Sequence, residues 1–360
     1  MLNSLGLEKS PQNTKVCVAM SGGVDSSATA YLLKKQGYQV FGLTMDLLTP
    51  PYAPQKSSIE DARKVADQLG IEHHFLDLKK EFRKQVIDYF CHAYKQGLTP
   101  SPCIMCNKDI KVGLLADKAR ELGADILVTG HYAETKITAN GVELYRGKDL
   151  IRDQSYFLFA ISKQNLQMLR CPLAAYSKEQ TRALAKEAGL EIANKSDSQD
   201  ICFVSDGKYA QLIKDLDAEF QNIPGNIVNR HGKILGQHKG LINYTIGQRR
   251  GLGIGGGDIL YVLELDAQKN QVIVGSHEEL KQQHVLLENV NWLGEDHPEK
   301  MDLMVKLRSR QDIVPAEITF LENKQAFLRL KEDFFGVAPG QGCCFYHNNR
   351  VLGGGFISKF

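Results

Sequence analysis

One short stretch of the chain has the composition of a phosphate-binding turn. Residues 21–27, SGGVDSS, place two glycines, an aspartate and three hydroxyl side chains between an apolar run and a helical pattern. Glycines let backbone amides approach a ligand closely, and amides at a helix N-terminus favour an anion such as phosphate. The stretch lacks both the Gly-Lys-Ser/Thr ending of a Walker A loop and the G-x-G-x-x-G pattern. It therefore predicts a phosphate site of another type, in which Asp25 helps to position Mg²⁺.

Cysteine is the second residue type that can do chemistry here. The chain has 8 cysteines, and the absence of a signal-peptide pattern leads us to expect reduced thiols in the cytoplasm. Cys106 and Cys202 stand in two distinctive stretches, SPCIMCNKDIKV and NKSDSQDICFV. Sulfur nucleophiles are strong at neutral pH, so two thiols that converge in the fold can transfer sulfur to an activated substrate. Apart from Cys103, the other cysteines are predicted to be core residues or have no assigned role.

Alternating strand and helix patterns surround these residues. The runs KVCVAM, YQVFGLTM, IEHHFLDL and DILVTG predict buried strands with helical patterns between them. Such alternation is typical of an α/β domain with a doubly wound parallel sheet. A glycine-rich stretch follows, and then short alternating runs that favour a β-barrel. We predict a catalytic domain over residues 1–205, a small central domain over 206–278 and a C-terminal β-barrel over 279–360.

The overall composition limits the classes of function. Hydrophobic residues make up 43% and charged residues 24% of the chain, which is ordinary for a globular protein. No apolar run approaches the roughly 20 residues that span a bilayer, so we expect no membrane partner. The net charge is +2, so a nucleic-acid surface must be a local basic strip.

Longer strings of sequence indicate a family. The segment SGGVDSS resembles the PP-loop of ATP pyrophosphatases, which cleave ATP between its α and β phosphates. Together with SPCIMCN, VTGHYAET, RDQSYFL, DSQDICF and YTIGQRRGLGIGG, it is similar to the tRNA-specific 2-thiouridylase (MnmA) family over nearly the whole chain. The resemblance implies an adenine nucleotide α-hydrolase-like domain that uses ATP and Mg²⁺. It implies an ATP site made of Ala19, Met20, Ser21, Gly22, Gly23, Val24, Asp25, Ser26, Met45 and Gly130.

The resemblance also implies a reaction and its partners. The C2 oxygen of the wobble uridine, position 34 of tRNA, is adenylated and then replaced by sulfur. Cys202 carries that sulfur as a persulfide, and Cys106 attacks to release it, which leaves a Cys106–Cys202 disulfide for later reduction. A cysteine desulfurase supplies the sulfur, directly or through a relay protein. The anticodon arm is expected to contact Ser101, Pro102, Cys103, His131, Arg152, Asp153, Gln154, Arg308, Ser309 and Gln341.

Position 103 departs from the family pattern. Many members have Asn-Pro-Asp before the first catalytic cysteine, with the aspartate assigned as an acid/base, whereas this chain has Ser101-Pro102-Cys103. The acid/base role therefore does not transfer. Cys103 is a resolving thiol that lowers the pKa of its neighbour, or a ligand of a [4Fe–4S] cluster with Cys106 and Cys202, or an inert substitution. The sequence leaves these three alternatives open.

Two other functions share part of this pattern. An amide-forming ligase or synthetase that acts on a small metabolite would use the same turn, but it has no need of Cys106 and Cys202. A non-catalytic RNA-binding protein would keep the fold without releasing pyrophosphate in response to tRNA. The two cysteines favour the sulfurtransferase.

Overall fold

The first domain is built on a parallel sheet. The structure is a computed structural model that describes residues 2–48, 58–195, 201–204, 209–216, 222–255, 259–295 and 298–359. Five strands form the sheet, namely β1 Lys15–Ala19, β2 Gln39–Asp46, β3 Glu72–Asp77, β4 Ile126–Val128 and β7 Leu169–Arg170. They lie in the order β3-β2-β1-β4-β7, and every pair is parallel. Loops that follow β1 and β4 therefore leave the same edge of the sheet side by side.

Helices cover both faces of this sheet, because successive strand residues point in opposite directions. The described α-helices are α1 Val24–Lys35, α2 Ser58–Leu69, α3 Lys79–Phe82, α4 Asp88–Lys95, α5 Pro102–Met105, α6 Leu115–Glu121, α7 Lys163–Met168, α8 Lys178–Glu187 and α9 Tyr209–Leu216. Val16 and Val18 pack with α1, α2 and α8, whereas Cys17 packs with α6 on the other face. The predicted doubly wound α/β domain is confirmed. Within the described ranges, no helix has the length and apolar character needed to cross a membrane.

A small central sheet follows. Its strands are β8 Gly225–Asn229, β9 Ile234–His238, β10 Tyr261–Asp266 and β11 Gln271–Gly275, in the order β10-β11-β8-β9. Ile227, Val262 and Val272 form its core and are inaccessible to solvent. The glycine-rich stretch of the sequence thus contributes a separate four-stranded sheet.

The C-terminal strands form the predicted β-barrel. They are β12 Lys281–Trp292, β13 Lys300–Lys306, β14 Val314–Phe320, β15 Ala326–Phe335, β16 Gly342–His347 and β17 Arg350–Ile357. Strand β12 pairs with both β15 and β17, which closes the barrel. A hairpin of the first domain, β5 Ala133–Thr138 and β6 Gly141–Arg146, extends this sheet through β6 and β17. The sequence patterns did not predict this hairpin, which joins the barrel to the segment that follows β4.

Two helical segments of the first domain have π-helical hydrogen bonding. They are Arg83–Ile87 and Cys106–Leu114. Turns of this type are rare and occur frequently at functional sites. The second segment begins at one of the two cysteines that the sequence singles out.

We predict that the contact between the barrel and the first domain tolerates no side chain at Gly354. A Cβ there would lie 2.4 Å from the Cys343 carbonyl oxygen and 2.5 Å from the Phe159 ring. Gly354→Ala should therefore lower the free energy of unfolding by about 1–3 kcal/mol, measured by urea denaturation. Gly255→Ala is the control, since nothing lies within 4 Å of its added Cβ. Equal stability of the two variants would contradict this packing.

Candidate active site

The phosphate-binding turn predicted at residues 21–27 connects β1 to α1, which begins at Val24. Gly22 has φ +67°, and a Cβ at this position would lie 2.1 Å from the Ser58 carbonyl oxygen. Both facts require glycine. Gly23 is the N-cap residue of α1, and no side chain caps the helix. The N–H groups of the first helical turn are consequently available to an anion.

The serine hydroxyls of this turn hold its shape. The Ser21 N–H donates to Ser26 Oγ over 3.1 Å, and the hydroxyls of Ser26 and Ser27 donate to the Gly23 carbonyl over 3.2 and 2.9 Å. Ser26 and Ser27 are buried. Direct contact of Ser21 or Ser26 with a nucleotide stays a prediction.

Asp25 is paired with a lysine from a distant part of the chain. Lys178 Nζ lies 2.8 Å from Oδ1 and 3.0 Å from Oδ2 of Asp25, and the Tyr132 hydroxyl donates to Oδ1 over 2.9 Å. Mg²⁺ is usually held by one or two carboxylates together with substrate phosphates and water. Since both oxygens of Asp25 already contact an ammonium group, this carboxylate does not fit the Mg²⁺ role that the sequence suggested.

The other predicted nucleotide residues lie at the same edge of the sheet. Ala19 ends β1, and the N–H of Met20 donates to the Leu43 carbonyl over 3.0 Å. Met45 stands near the end of the neighbouring β2. Gly130 follows β4 and packs on the turn, since a Cβ there would lie 2.9 Å from the backbone of residues 25 and 26. The fold thus brings these residues together, and their contacts with ATP stay a prediction.

The fold also brings Cys106 and Cys202 into one neighbourhood. Cys106 is 7% exposed and belongs to a hydrophobic cluster with Phe203 and Val204, which directly follow Cys202. Cys202 is exposed, and a negative charge on it raises the pKa of Cys106. Charges influence one another in this way only over short distances. Both cysteines are free thiols in this structure.

Burial keeps these thiols protonated. Desolvation raises the pKa of Cys106 to about 12 and that of Cys202 to about 11. The Cys202 residue as a whole is exposed, but protein atoms surround its sulfur. This local desolvation raises the pKa of the thiol. Desolvation also raises the pKa of Cys103, and Cys103 in turn raises that of Cys106. This direction is opposite to the one expected of a C-x-x-C partner that activates its neighbour.

Lys111 supplies a positive charge to these thiols. In a π-helix, residue i+5 follows residue i by one turn, so the segment Cys106–Leu114 places Lys111 one turn after Cys106. The charge of Lys111 lowers the pKa of Cys103, Cys106 and Cys202 and opposes the effect of burial. A thiolate that forms in this cluster is therefore stabilised by a cation on the same helical segment.

His131 lies next to the phosphate turn, because it follows Gly130, which packs on the backbone of residues 25 and 26. Burial and the charge of Lys111 lower its pKa to about 3, so the imidazole is neutral. Its Nδ1 lies 2.8 Å from the Thr129 hydroxyl, and it directly follows Gly130. The charge of Lys111 also lowers the pKa of the three cysteines, so Lys111 acts on both parts of the candidate site. Contact of His131 with tRNA stays a prediction.

The three cysteines do not form a metal site in this arrangement. Among the residues that the structure describes, no group of three or more His, Cys, Asp or Glu side chains could hold a metal ion. An iron–sulfur cluster requires several thiolates that converge on one point. The residues present therefore do not fit a [4Fe–4S] cluster, and no step of the chemistry is derived through one.

The Asp153 side chain is held inside the protein, and contact of Asp153 and Gln154 with tRNA stays a prediction. That side chain is fully buried, and it accepts hydrogen bonds from the Gly147 N–H over 3.0 Å and from the Ser155 hydroxyl over 2.9 Å. Gln154 is also hydrogen-bonded within the protein. Its side-chain carbonyl accepts from the Tyr132 N–H over 3.0 Å, and its backbone N–H donates to the Tyr132 carbonyl over 2.9 Å. Gln154 thus holds the backbone that follows His131, whereas Asp153 holds the backbone of Gly147 and Ser155.

Two barrel residues that we predict to contact tRNA also join domains, and their contact with tRNA stays a prediction. Arg308 Nη2 donates to the carbonyls of Ile246 and Gly336 over 3.1 and 2.6 Å. Gln341 Nε2 donates to the Thr99 carbonyl over 2.8 Å, which ties the barrel to the segment that leads to Cys103. Contacts with tRNA stay predictions for the buried Ser101 and Pro102, the partly buried Cys103 and Ser309 and the exposed Arg152.

Sequence reasoning missed two lysines at the phosphate turn. Lys178 pairs with Asp25, and Lys195 Nζ lies 3.1 Å from the Gly22 carbonyl oxygen and 2.7 Å from Asp61 Oδ2. Neither lysine stands in a motif with a phosphate-binding signature. The available signal was indirect: residues 20–27 contain no basic side chain, and a site for phosphates needs cations.

Comparisons with known proteins agree with this architecture. Residues 14–206 match the family model described as "tRNA methyl transferase HUP domain", residues 214–276 match "tRNA methyl transferase PRC-barrel domain" and residues 282–357 match "Aminomethyltransferase beta-barrel domain". A solved structure described as "U34-tRNA thiolase NcsA from Methanococcus maripaludis with its [4Fe-4S] cluster" is 17% identical, with a TM-score of 0.36, over 59% of this chain and 66% of that one. This likeness is too distant to support an argument about a cluster.

Three curated relatives share the name "tRNA-specific 2-thiouridylase MnmA". The protein from Paramagnetospirillum magneticum is 48% identical over 99% of this chain and 98% of its own length. The proteins from Beijerinckia indica and Rhodospirillum centenum are 47% and 46% identical over 99% of this chain, and over 88% and 95% of their own lengths. Sequence identity of this size over almost every residue, on the same arrangement of domains, means that the chain belongs to the MnmA family of tRNA-specific 2-thiouridylases.

Proposed function

We propose that this protein catalyses the ATP-dependent 2-thiolation of the wobble uridine, position 34, of tRNA. One observation carries the proposal: the domain that has an uncapped helix N-terminus suited to phosphate also brings two thiols together. The charge of Lys111 lowers the pKa of His131, which follows Gly130 at the phosphate turn, and the pKa of both cysteines. Membership of the MnmA family supports the same reaction.

The first step activates the uridine. ATP lies with its β and γ phosphates on the turn after β1 and its adenine toward Met45 and Gly130. The C2 oxygen of the uridine attacks the α phosphorus, a bond forms between them, and pyrophosphate leaves with the electron pair of the broken P–O bond. The N3 proton of the uridine passes to water. The free amides of α1 stabilise the leaving pyrophosphate.

The second step replaces the activated oxygen by sulfur. The terminal sulfur of a Cys202 persulfide attacks C2, a C–S bond forms, and AMP leaves with the former C2 oxygen and its electron pair. The Cys106 thiolate then attacks the Cys202 sulfur, so that a Cys106–Cys202 disulfide forms and the other sulfur remains on the uridine with the released electron pair. A thiol reductant restores both cysteines. A cysteine desulfurase or relay protein reloads Cys202.

The pKa values set the resting state of this chemistry. With a pKa of about 12, Cys106 is protonated at neutral pH until substrate binding changes its surroundings. A protonated thiol is a poor nucleophile, so the free enzyme is protected from premature attack on a loaded persulfide. The charge of Lys111 then favours the thiolate when the proton leaves.

The cofactor and the domain limits complete the proposal. ATP is the cofactor that the described residues support, and Mg²⁺ reaches the site on the nucleotide phosphates rather than through Asp25.

The catalytic domain spans residues 1–205, the central domain 206–278 and the barrel 279–360. The anticodon arm of tRNA lies across the exposed Arg152 and the barrel, and the enzyme works in the cytoplasm.

We predict that Cys106 and Cys202 are each required for sulfur transfer but not for adenylation. Cys106→Ser and Cys202→Ser should each lower 2-thiouridine formation by at least about 10³-fold, because a hydroxyl replaces the required sulfur. Pyrophosphate release that depends on tRNA should continue in both variants. Nucleoside mass spectrometry and a pyrophosphate assay measure the two steps, with Cys343→Ala in the barrel as the control. Full thiolation by either serine variant would rule out this mechanism.

We predict that active protein purified without oxygen contains far less than one iron–sulfur cluster per chain. The physical reason is the lack of a converging metal site among the described residues. Iron and labile sulfide are measured on wild type and on Cys103→Ser, and thiolation is assayed on the same samples. About four irons per active chain, lost in Cys103→Ser, would contradict the expectation and identify Cys103 as a cluster ligand.

We predict slow alkylation of Cys106 near neutral pH. A pKa of about 12 leaves roughly 10³-fold less thiolate at pH 8 than the ordinary thiol value of 9.0, and the alkylation rate should rise with pH up to that region. Lys111→Gln should raise the pKa further, whereas Lys108→Gln, whose ammonium pairs with Asp109 at 3.3 Å, should change it little. Iodoacetamide labelling followed by peptide mass spectrometry measures the rate between pH 6 and 11. A rate for Cys106 equal to that of free cysteine would refute the assigned burial.

A further inference from the structure

The turn after β1 has to hold a polyanion without a cation of its own. Residues 20–27 contain one carboxylate, on Asp25, and no basic side chain. The N-terminus of α1 contributes the equivalent of roughly half an elementary charge, whereas pyrophosphate carries several negative charges. The remaining positive charge therefore has to come from elsewhere in the fold.

The first residue of α8 supplies one cation. Lys178 is only 6% exposed, and its ammonium group lies 2.8 and 3.0 Å from the two oxygens of Asp25. Asp25 is the second residue of α1, so this ammonium lies beside the free amides of that helix. A buried lysine has to be paired with an anion. Asp25 is that partner, and since an ammonium group has three N–H donors, Lys178 can also bind a phosphate oxygen at the helix terminus.

A second lysine lies on the opposite part of the turn. Lys195 Nζ is 3.1 Å from the carbonyl oxygen of Gly22 and 2.7 Å from Asp61 Oδ2. Gly22 is the residue whose left-handed backbone shapes the turn. The Lys195 side chain remains 41% exposed, so its ammonium group can move toward a bound phosphate without losing solvent contact.

We propose that Lys178 and Lys195 form the cationic part of the pyrophosphate subsite. This inference rests on the proposed function and adds two phosphate-binding residues to it. When ATP binds, the Lys178 ammonium keeps its contact with Asp25 and donates its remaining N–H to an oxygen of the β or γ phosphate, and the exposed Lys195 ammonium binds a second phosphate oxygen. They then stabilise pyrophosphate as it departs with the electron pair of the α–β bond. AMP lacks these two phosphates and does not use the lysines.

The test measures binding of inorganic pyrophosphate and of AMP separately, by calorimetric titration of the full chain. Lys178→Gln and Lys195→Gln should each weaken pyrophosphate binding by about 10- to 100-fold, which is the value of a charge-assisted hydrogen bond. Binding of AMP should stay the same. Lys186→Gln, in the last turn of the same helix α8 as Lys178, is the matched control and should change neither. Unchanged pyrophosphate binding, or an equal loss for both ligands, would overturn the inference.

A double variant distinguishes direct binding of phosphate by Lys178 from mere neutralisation of the Asp25 charge. It also leaves no unpaired charge in the protein interior that could cause misfolding. Asp25→Asn with Lys178→Gln removes both members of the buried pair. If Lys178 binds phosphate, pyrophosphate binding stays weak in the double variant. Recovery to the wild-type affinity would mean that Lys178 only neutralises Asp25, and would overturn its assignment. Wild-type protein that binds pyrophosphate as expected but makes no 2-thiouridine would count against the proposed function and leave the lysine assignment intact.

Discussion

The close contact between the loops that follow β1 and β4 sets the arrangement of the whole site. Gly130 packs so tightly on the start of α1 that a Cβ would lie 2.9 Å from backbone atoms of residues 25 and 26. His131 and Tyr132 follow at once, and Tyr132 reaches the Asp25 carboxylate. Parallel sheets bind ligands at this edge, where neighbouring strands send their loops in different directions. The loop after β4 is thereby fixed against the start of α1, and the pKa of its His131 is lowered by the same Lys111 that acts on the thiols.

The acidic and basic side chains of this site come from distant parts of the chain. The phosphate turn carries an acidic side chain, and its cations come from residues more than a hundred positions away, Lys178 and Lys195. Lys111 plays the corresponding part for the thiols. Each cation is held by an element that also has a packing role, since Lys178 begins α8, which covers one face of the sheet. The packing of α8 on the sheet therefore also brings Lys178 to Asp25 at the phosphate turn.

The barrel is attached directly to the reacting region. Gln341 donates to the Thr99 carbonyl just before the segment of Cys103 and Cys106, and the hairpin that follows His131 pairs with strand β17. The barrel therefore contacts two segments of the first domain, the one that leads to Cys103 and the one that follows His131.

The sequence by itself determined the features that depend on local residue types. Strand and helix periodicity predicted the doubly wound sheet and the barrel, and the composition of residues 21–27 predicted an anion site with glycine at its centre. The tertiary structure alone decided the partners: Lys178 on Asp25, the internal hydrogen bonds of Asp153, and the burial that raises the pKa of Cys106. Such properties arise from contacts between residues that are remote in the chain, and no local pattern encodes which side chains will meet or how much water they will lose.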